Sequence, residues 1–175
     1  MKRVDRLSLI SKGGRRESDA EHTWHLVMFI WMFSYLYERN IDLLKAIKMG
    51  LVHDLVEIQA GDVYGLSSGL ESRKKAAEKK AALSIFGPLP EEISKELTDL
   101  WYEYERKETE ESKFVWALDK ICPRFQLALT ENDLSEGLPD SDAKREIQEL
   151  TISNISPIFK YILEIIKQQK SQVSS

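Results

Sequence analysis

A single cysteine, Cys122, excludes an intrachain disulfide. Packing must therefore hold the fold, and a reducing compartment is the expected home. No apolar run is long enough to cross a bilayer. The longest uncharged apolar stretch, LVMFIWMFSYLY from Leu26 to Tyr37, is twelve residues and reads as a core helix. The segment MKRVDRLSLISK lacks the apolar centre of a signal peptide, so a cytoplasmic protein is expected. Basic charge is not in excess either: 25 Lys and Arg stand against 29 Asp and Glu, a net charge of −4. That balance provides no footprint for long DNA or RNA, but it leaves room for a small phosphorylated ligand held by a few local cations. Strand-like alternation is almost missing, as are internal repeats.

Helix signals fill the rest. Ser18-Asp19-Ala20-Glu21 has the spacing of a capping box and predicts a helix running to about Glu38. A second helix is expected from Leu43 to about Gln59, halted at Gly61. A charged helix follows from about Leu70 to Phe86, where Gly87-Pro88 stops it. Pro90 suits the first turn of the next helix, which ends near Arg106. Thr109 can cap a helix to about Thr130, and a last helix begins near Ser141, with Pro157 kinking or splitting it. The expected architecture is all-α, a single bundle of six or seven helices over residues 1–166, with a polar tail at 167–175 that should fray. Trp101, Tyr102, Tyr104, Ile158 and Tyr161 are more apolar surface than a small bundle needs on the helices that carry them, which points to self-association.

The stretch GLVHDLVEIQAGD, from Gly50 to Asp62, threads His53, Asp54, Glu57 and Asp62 through apolar positions. On a continuous helix His53 and Glu57, four apart, would stack on one face. Burying an unpaired carboxylate costs several kcal/mol, and a divalent cation is one way to offset it, since imidazole nitrogen and carboxylate oxygen can ligate together. A lone His-Asp pair is weak testimony by itself. Two further segments strengthen it: GRRESDAEHTWHL delivers His22 one turn into the first long helix, and FVWALDKICPRFQ sets Asp119 in an apolar helix face.

With these residues the chain resembles the HD superfamily of metal-dependent phosphohydrolases, named for the His-Asp pair, and within it the branch of 5′-deoxynucleotidases. The resemblance runs from about Lys2 to Leu129 and includes the full pattern H-D-x-x-E-x-x-x-x-G-D as His53, Asp54, Glu57, Gly61 and Asp62. It implies one divalent metal ion (Mn, Co, Zn, Fe, Ni or Mg) held by His22, His53, Asp54 and Asp119. It also implies that Glu57 and Asp62 handle protons and orient the attacking water. His25, at i,i+3 from His22, is expected to support or pack rather than ligate, and Cys122 to be a small core residue.

Phosphate recognition calls for cations, guanidinium above all. Arg15 and Arg16 stand before the capping box, and Lys120 and Arg124 flank Asp119, while Lys74, Lys75 and Lys79 follow Asp62. The deoxynucleotidase branch has an N-terminal arginine followed by a tryptophan; Arg6 is the nearest match, and RLSLI has no Trp. The expectation is a hydrolase of a small phosphomonoester, most plausibly a (deoxy)nucleoside 5′-monophosphate, acting as a homodimer without nucleic-acid polymer or membrane. The alternatives are another HD-type phosphohydrolase, such as a phosphodiesterase or a hydrolase of polyphosphorylated nucleotides, and a non-catalytic helical metal-binding module. Three histidines are few for a two-metal site, and spare acids are of no use to a purely structural one.

Overall fold

The computed structural model describes residues 5–9, 15–60, 68–129 and 142–173. Two short strands, β1 (Asp5–Leu9) and β2 (Arg16–Ser18), pair antiparallel and lead into the helices α1 (Asp19–Ser34), α2 (Leu43–Val52), α3 (Glu57–Ala60), α4 (Ser68–Phe86), α5 (Glu91–Arg106), α6 (Glu110–Leu129), α7 (Asp142–Ile155) and α8 (Pro157–Val173). Among the described residues this is a bundle of seven helices with ten or more residues each, plus the single turn α3. The expected all-α class holds. The small ladder is an addition to it: its pairing slips between Asp5↔Ser18 and Leu9↔Arg16, and segments this short leave little periodicity to read.

The boundaries follow local chemistry. At the start of α1 the Ser18 backbone N–H donates to Glu21 Oε2 at 3.0 Å, and the Ser18 hydroxyl donates to the same oxygen at 2.7 Å. Asp42 caps α2 by accepting from Lys45 N at 3.0 Å, and Thr109 Oγ1 accepts from Ser112 N at 3.2 Å. Pro157 splits the last helical segment, as expected, with Ser156 between the halves accepting from the N–H of Ile158. The last helix continues through Val173 and so includes the start of the polar tail. Helix α1 ends four residues before the expected Glu38, because the chain turns to drive Tyr37 into the core against Phe114 and Phe159, with ring centroids 4.6 and 5.7 Å away.

Helices α1, α2 and α6 pack on one another at the centre, with α5 against α2 and α6, and α8 against the far side of α6. The core they enclose includes Leu26 and Ile30 of α1, Ala46 and Met49 of α2, and Phe114, Leu118 and Ile121 of α6. Trp101 and Tyr104 belong to it as well. This corrects the expectation that these two rings are surplus surface: they line the inner face of α5, and of the five residues named for self-association Tyr161 is the one left well exposed.

The approach of α1 to α2 depends on Gly50. A Cβ at that position would sit 2.6 Å from Ile30 Cδ1 and 3.5 Å from Val27 Cγ2. Gly50→Val should therefore lower stability by about 1–3 kcal/mol through overpacking, more than the propensity gain of losing a helical glycine. A lower urea midpoint with an unchanged m-value would bear this out; an unchanged midpoint would contradict it.

Candidate functional site

The second predicted helix is not continuous. Its last α-type bond to this segment is His53 N to Met49 O at 3.0 Å, after which Leu55 N bonds Val52 O and Glu57 N bonds Asp54 O, each three residues back at 3.0 Å. Four turn residues, 53–56, thus separate α2 from α3. This corrects the expectation that His53 and Glu57 stack at i,i+4 on one helix. The tighter winding has a chemical result: successive residues of a regular helix do not face each other, yet here His53 Nε2 and Asp54 Oδ2 lie 2.9 Å apart.

Two other helices complete the cluster. From α1, His22 Nε2 lies 2.9 Å from Asp119 Oδ1 of α6 and 4.0 Å from Asp54 Oδ2. His53 Nε2 is 3.7 Å from the same Asp119 oxygen. His22, His53 and Asp119 are buried, and Asp54 nearly so. Four of the sequence-predicted residues are thereby brought together from three elements. Donors about 2.1 Å from a common ion lie about 3 Å apart when adjacent and about 4 Å apart when opposite on an octahedron. His22, His53 and Asp54 each offer a ligand atom within 4.8 Å of the others, Asp119 Oδ1 adjoins them at 2.9 Å from His22 and 3.7 Å from His53, and the mixed N and O donors suit a borderline divalent ion.

Supporting contacts orient the donors. His53 Nδ1 lies 2.8 Å from the Gly50 carbonyl, so the proton sits on Nδ1 and Nε2 is turned inward. The Tyr104 hydroxyl donates to Asp119 Oδ2 at 2.7 Å, with its ring edge-on to His53. Lys120 Nζ reaches the same oxygen at 2.7 Å. Glu17, fully buried on β2, lies behind α1, 3.2 Å from His25 Nδ1 and 3.9 Å from His22 Nδ1. His25 thus contacts Glu17 and not the cluster, in line with its expected supporting place; Cys122 is buried in the core.

Glu57 is buried at the edge of the cluster, where one oxygen each from Asp19, Asp54 and Glu57 fall within 4.8 Å of one another. Lys74 of α4 approaches Glu57 Oε1 at 3.9 Å and Glu78 Oε1 at 3.6 Å. Burial pushes the Glu78 carboxyl up, with Lys74 opposing. Asp62 lies outside the described residues. Arg6 lies on β1, which pairs with β2 directly before α1. Arg15 is engaged with Glu21, Nη1 to Oε2 at 2.8 Å and a second contact from Nη2, while Arg16 is exposed on β2. Arg124 is buried and holds the Lys120 carbonyl at 2.6 Å and the Gln148 side chain. Sequence reasoning missed Tyr104, Glu17 and Glu78, because nothing in their local patterns separates them from a core tyrosine or a surface acid.

Residues 1–153 match the HD domain family. A mouse (Mus musculus) protein named 5′-deoxynucleotidase HDDC2 is 31% identical over 135 residues, 77% of this chain and 66% of that one. A Dictyostelium discoideum protein of the same name is 42% identical over 83 residues, 47% of this chain and 44% of its own. The chain spans slightly under two thirds of the length of the mouse and human relatives. A solved crystal structure from Magnetospirillum magnetotacticum MS-1, described as a predicted metal-dependent phosphohydrolase, superposes with a TM-score of 0.82 at 30% identity, covering 95% of this chain and 86% of the other.

Charge within the cluster gives a measurable signature. Burial alone would drive the His53 imidazole toward neutrality, but the Asp54 and Asp119 carboxylates beside it raise its pKa from 6.5 to about 10. Burial would likewise push Asp119 up, but Lys120 and the two imidazoles hold it well below the usual carboxylate range. Since imidazole ligates only when Nε2 is free, a divalent ion entering at pH 8 should expel about one proton. Calorimetric heats that vary with the ionisation enthalpy of the buffer would show it; buffer-independent heats would contradict it. In the metal-free protein the His53 proton stabilises the fold fully below pH 6.5, and that contribution should fade as pH rises toward 10. Tyr104→Phe removes a donor from Asp119, and is expected to weaken Mn²⁺ or Co²⁺ binding about 10- to 100-fold with helix content retained. Unchanged affinity would remove Tyr104 from the site.

Proposed function

The chain belongs to the HD domain family, and on that footing we propose that it is a metal-dependent phosphohydrolase that removes phosphate from a small phosphomonoester, in the first place a deoxynucleoside 5′-monophosphate. The observation that carries this reading is the meeting of His22, His53, Asp54 and Asp119 from three separate elements, with the buried Glu57 at their edge. The names of the animal and Dictyostelium relatives point to the same substrate class.

His22, His53, Asp54 and Asp119 are the residues that would hold one divalent ion. When bound, such an ion polarises the phosphoryl oxygens and acidifies water at neutral pH. The chain's own residues do the rest. Glu57 or Asp62 accepts the proton of the attacking water as its oxygen bonds to phosphorus. The other acid protonates or orients the ester oxygen as the P–O bond breaks, which releases nucleoside and inorganic phosphate. Lys74 keeps Glu57 near a positive charge, and Lys120 Nζ stands 2.7 Å from Asp119 Oδ2.

For substrate binding the candidate guanidinium groups are Arg6, Arg15 and Arg16. Arg15 is held by Glu21, Arg16 stands exposed on β2, and Arg6 belongs to the strand paired with it, so a guanidinium fork from this end of the chain is the proposed phosphate partner. The protein is read as cytoplasmic and as a homodimer. Among the described residues no helix is long and apolar enough to cross a membrane. The buried acid beside a complete ligand set favours catalysis over a purely structural metal site.

With Mn²⁺ or Co²⁺ added, the protein should release phosphate from deoxynucleoside 5′-monophosphates in preference to sugar phosphates and cyclic dinucleotides. Glu57→Ala and Asp62→Ala should each lose about 10²- to 10⁴-fold in kcat while binding metal normally. Full activity in both variants would discard the assigned proton roles, and absence of phosphate release from every monophosphate would discard the substrate class.

A further inference from the structure

Helix α1 packs against α2 on one side and α6 on another, and its buried line of His22, Leu26 and Ile30 faces the core. Its outer side is apolar too. Trp24 is 66% exposed, Trp31 50%, Met32 60% and Tyr35 78%, and Leu36, just past the helix, 58%. Together with the half-buried Met28 these positions recur at intervals of three and four, so they form one stripe about 16 Å long from Trp24 to Tyr35. From Trp24 to Leu36 the sequence contains no Asp, Glu, Lys or Arg.

We propose that this stripe is a two-fold contact with a second copy of the chain, an assignment that rests on the homodimer reading above and gives it a place. Area is the first argument. At these exposures the three aromatic rings offer roughly 400 Å², and Met32 and Leu36 bring the total to about 600 Å². That is the ceiling for the largest apolar patch on a typical monomer and most of the roughly 800 Å² per partner that a stable complex buries. Composition is the second: aromatics and Met without charge are what the buried centre of an interface contains.

Self-complementarity is the third. A two-fold axis crossing α1 between Met28 and Trp31 sets Trp24 against the partner's Tyr35 and Met28 against the partner's Trp31, so each large side chain finds a counterpart in an antiparallel pair. A lipid surface is the poorer occupant, because an interfacial helix flanks its apolar face with Lys and Arg, and α1 has neither. Another exposed apolar group, Ile147, Leu150 and Tyr161 on α7 and α8, sits among Glu146, Lys160 and Glu164, as a solvated face does.

Light scattering during gel filtration, and sedimentation equilibrium over a range of concentrations, test this on the whole chain. The expected result is a wild-type dimer, a Trp31→Glu/Tyr35→Glu variant whose dissociation constant is weaker by ~100-fold or more, and an Ile147→Glu/Tyr161→Glu variant that dimerises normally. Circular dichroism and melting confirm that each variant folds. If the α1 variant does not fold, oxidative crosslinking replaces it: Met28→Cys should yield a covalent dimer and Tyr161→Cys should not. A wild-type dimer that survives the α1 changes, or the reverse crosslinking pattern, would overturn the α1 assignment and leave the homodimer reading standing. A wild-type chain that is monomeric throughout, or that sediments with phosphatidylcholine–phosphatidylglycerol vesicles as a monomer, would overturn both.

Discussion

Everything at the centre of this molecule answers to one constraint: two imidazoles and two carboxylates share one largely buried cluster, linked by nitrogen–oxygen separations of 2.9 to 4.0 Å. Stripped of partners, any one of them would cost several kcal/mol in a helical core. They are tolerable only as a set, in which the negative charge of the neighbouring carboxylates lets His53 keep its proton and Asp119 stays charged among Lys120, Tyr104 and both imidazoles. The set cannot be built from one element. It needs α1, α2 and α6 to meet at close range, which Gly50 permits by leaving space for Ile30.

The local irregularities fall where that set is assembled. The α2 helix gives way to tight turns at His53, so that two consecutive side chains can converge. Pro123 lies inside α6, four residues after Asp119, and withholds the N–H that would bond the Asp119 carbonyl. One position on, buried Arg124 reaches back to the Lys120 carbonyl. Departures from regular geometry at a functional cluster, with regular helix elsewhere, are what is expected when local preference is overruled for chemistry.

The same contrast decides what was legible from residues alone. The helices announced themselves through caps and breakers, Ser18 with Glu21, Gly87 with Pro88 and Pro157, because those signals act within one turn of chain. The four metal-binding candidates were legible because charged residues in apolar runs are conspicuous. The break at His53 was not, because Leu51, Val52, Leu55, Val56 and Ile58 fit a continuous helix equally well. Tyr104 and Glu17 were invisible for another reason: Tyr104 acts on a residue 15 positions away and Glu17 lies behind a histidine that lacks any local mark of it. Such roles exist only once the chain is folded.

Helix α1 shows where periodicity stops helping. A helix apolar on every side reads as the buried heart of a large protein or as a membrane span. Here two sides are filled, by α2 and α6, and the twelve-residue apolar run is too short for a bilayer. The third side is therefore either a liability in water or a surface made to be covered. Placing His22 on the inner line of the same helix couples the two alternatives. Whatever covers Trp24, Trp31 and Tyr35 also braces the element that delivers His22 to Asp119, so association and metal binding would draw on one rigid body rather than two.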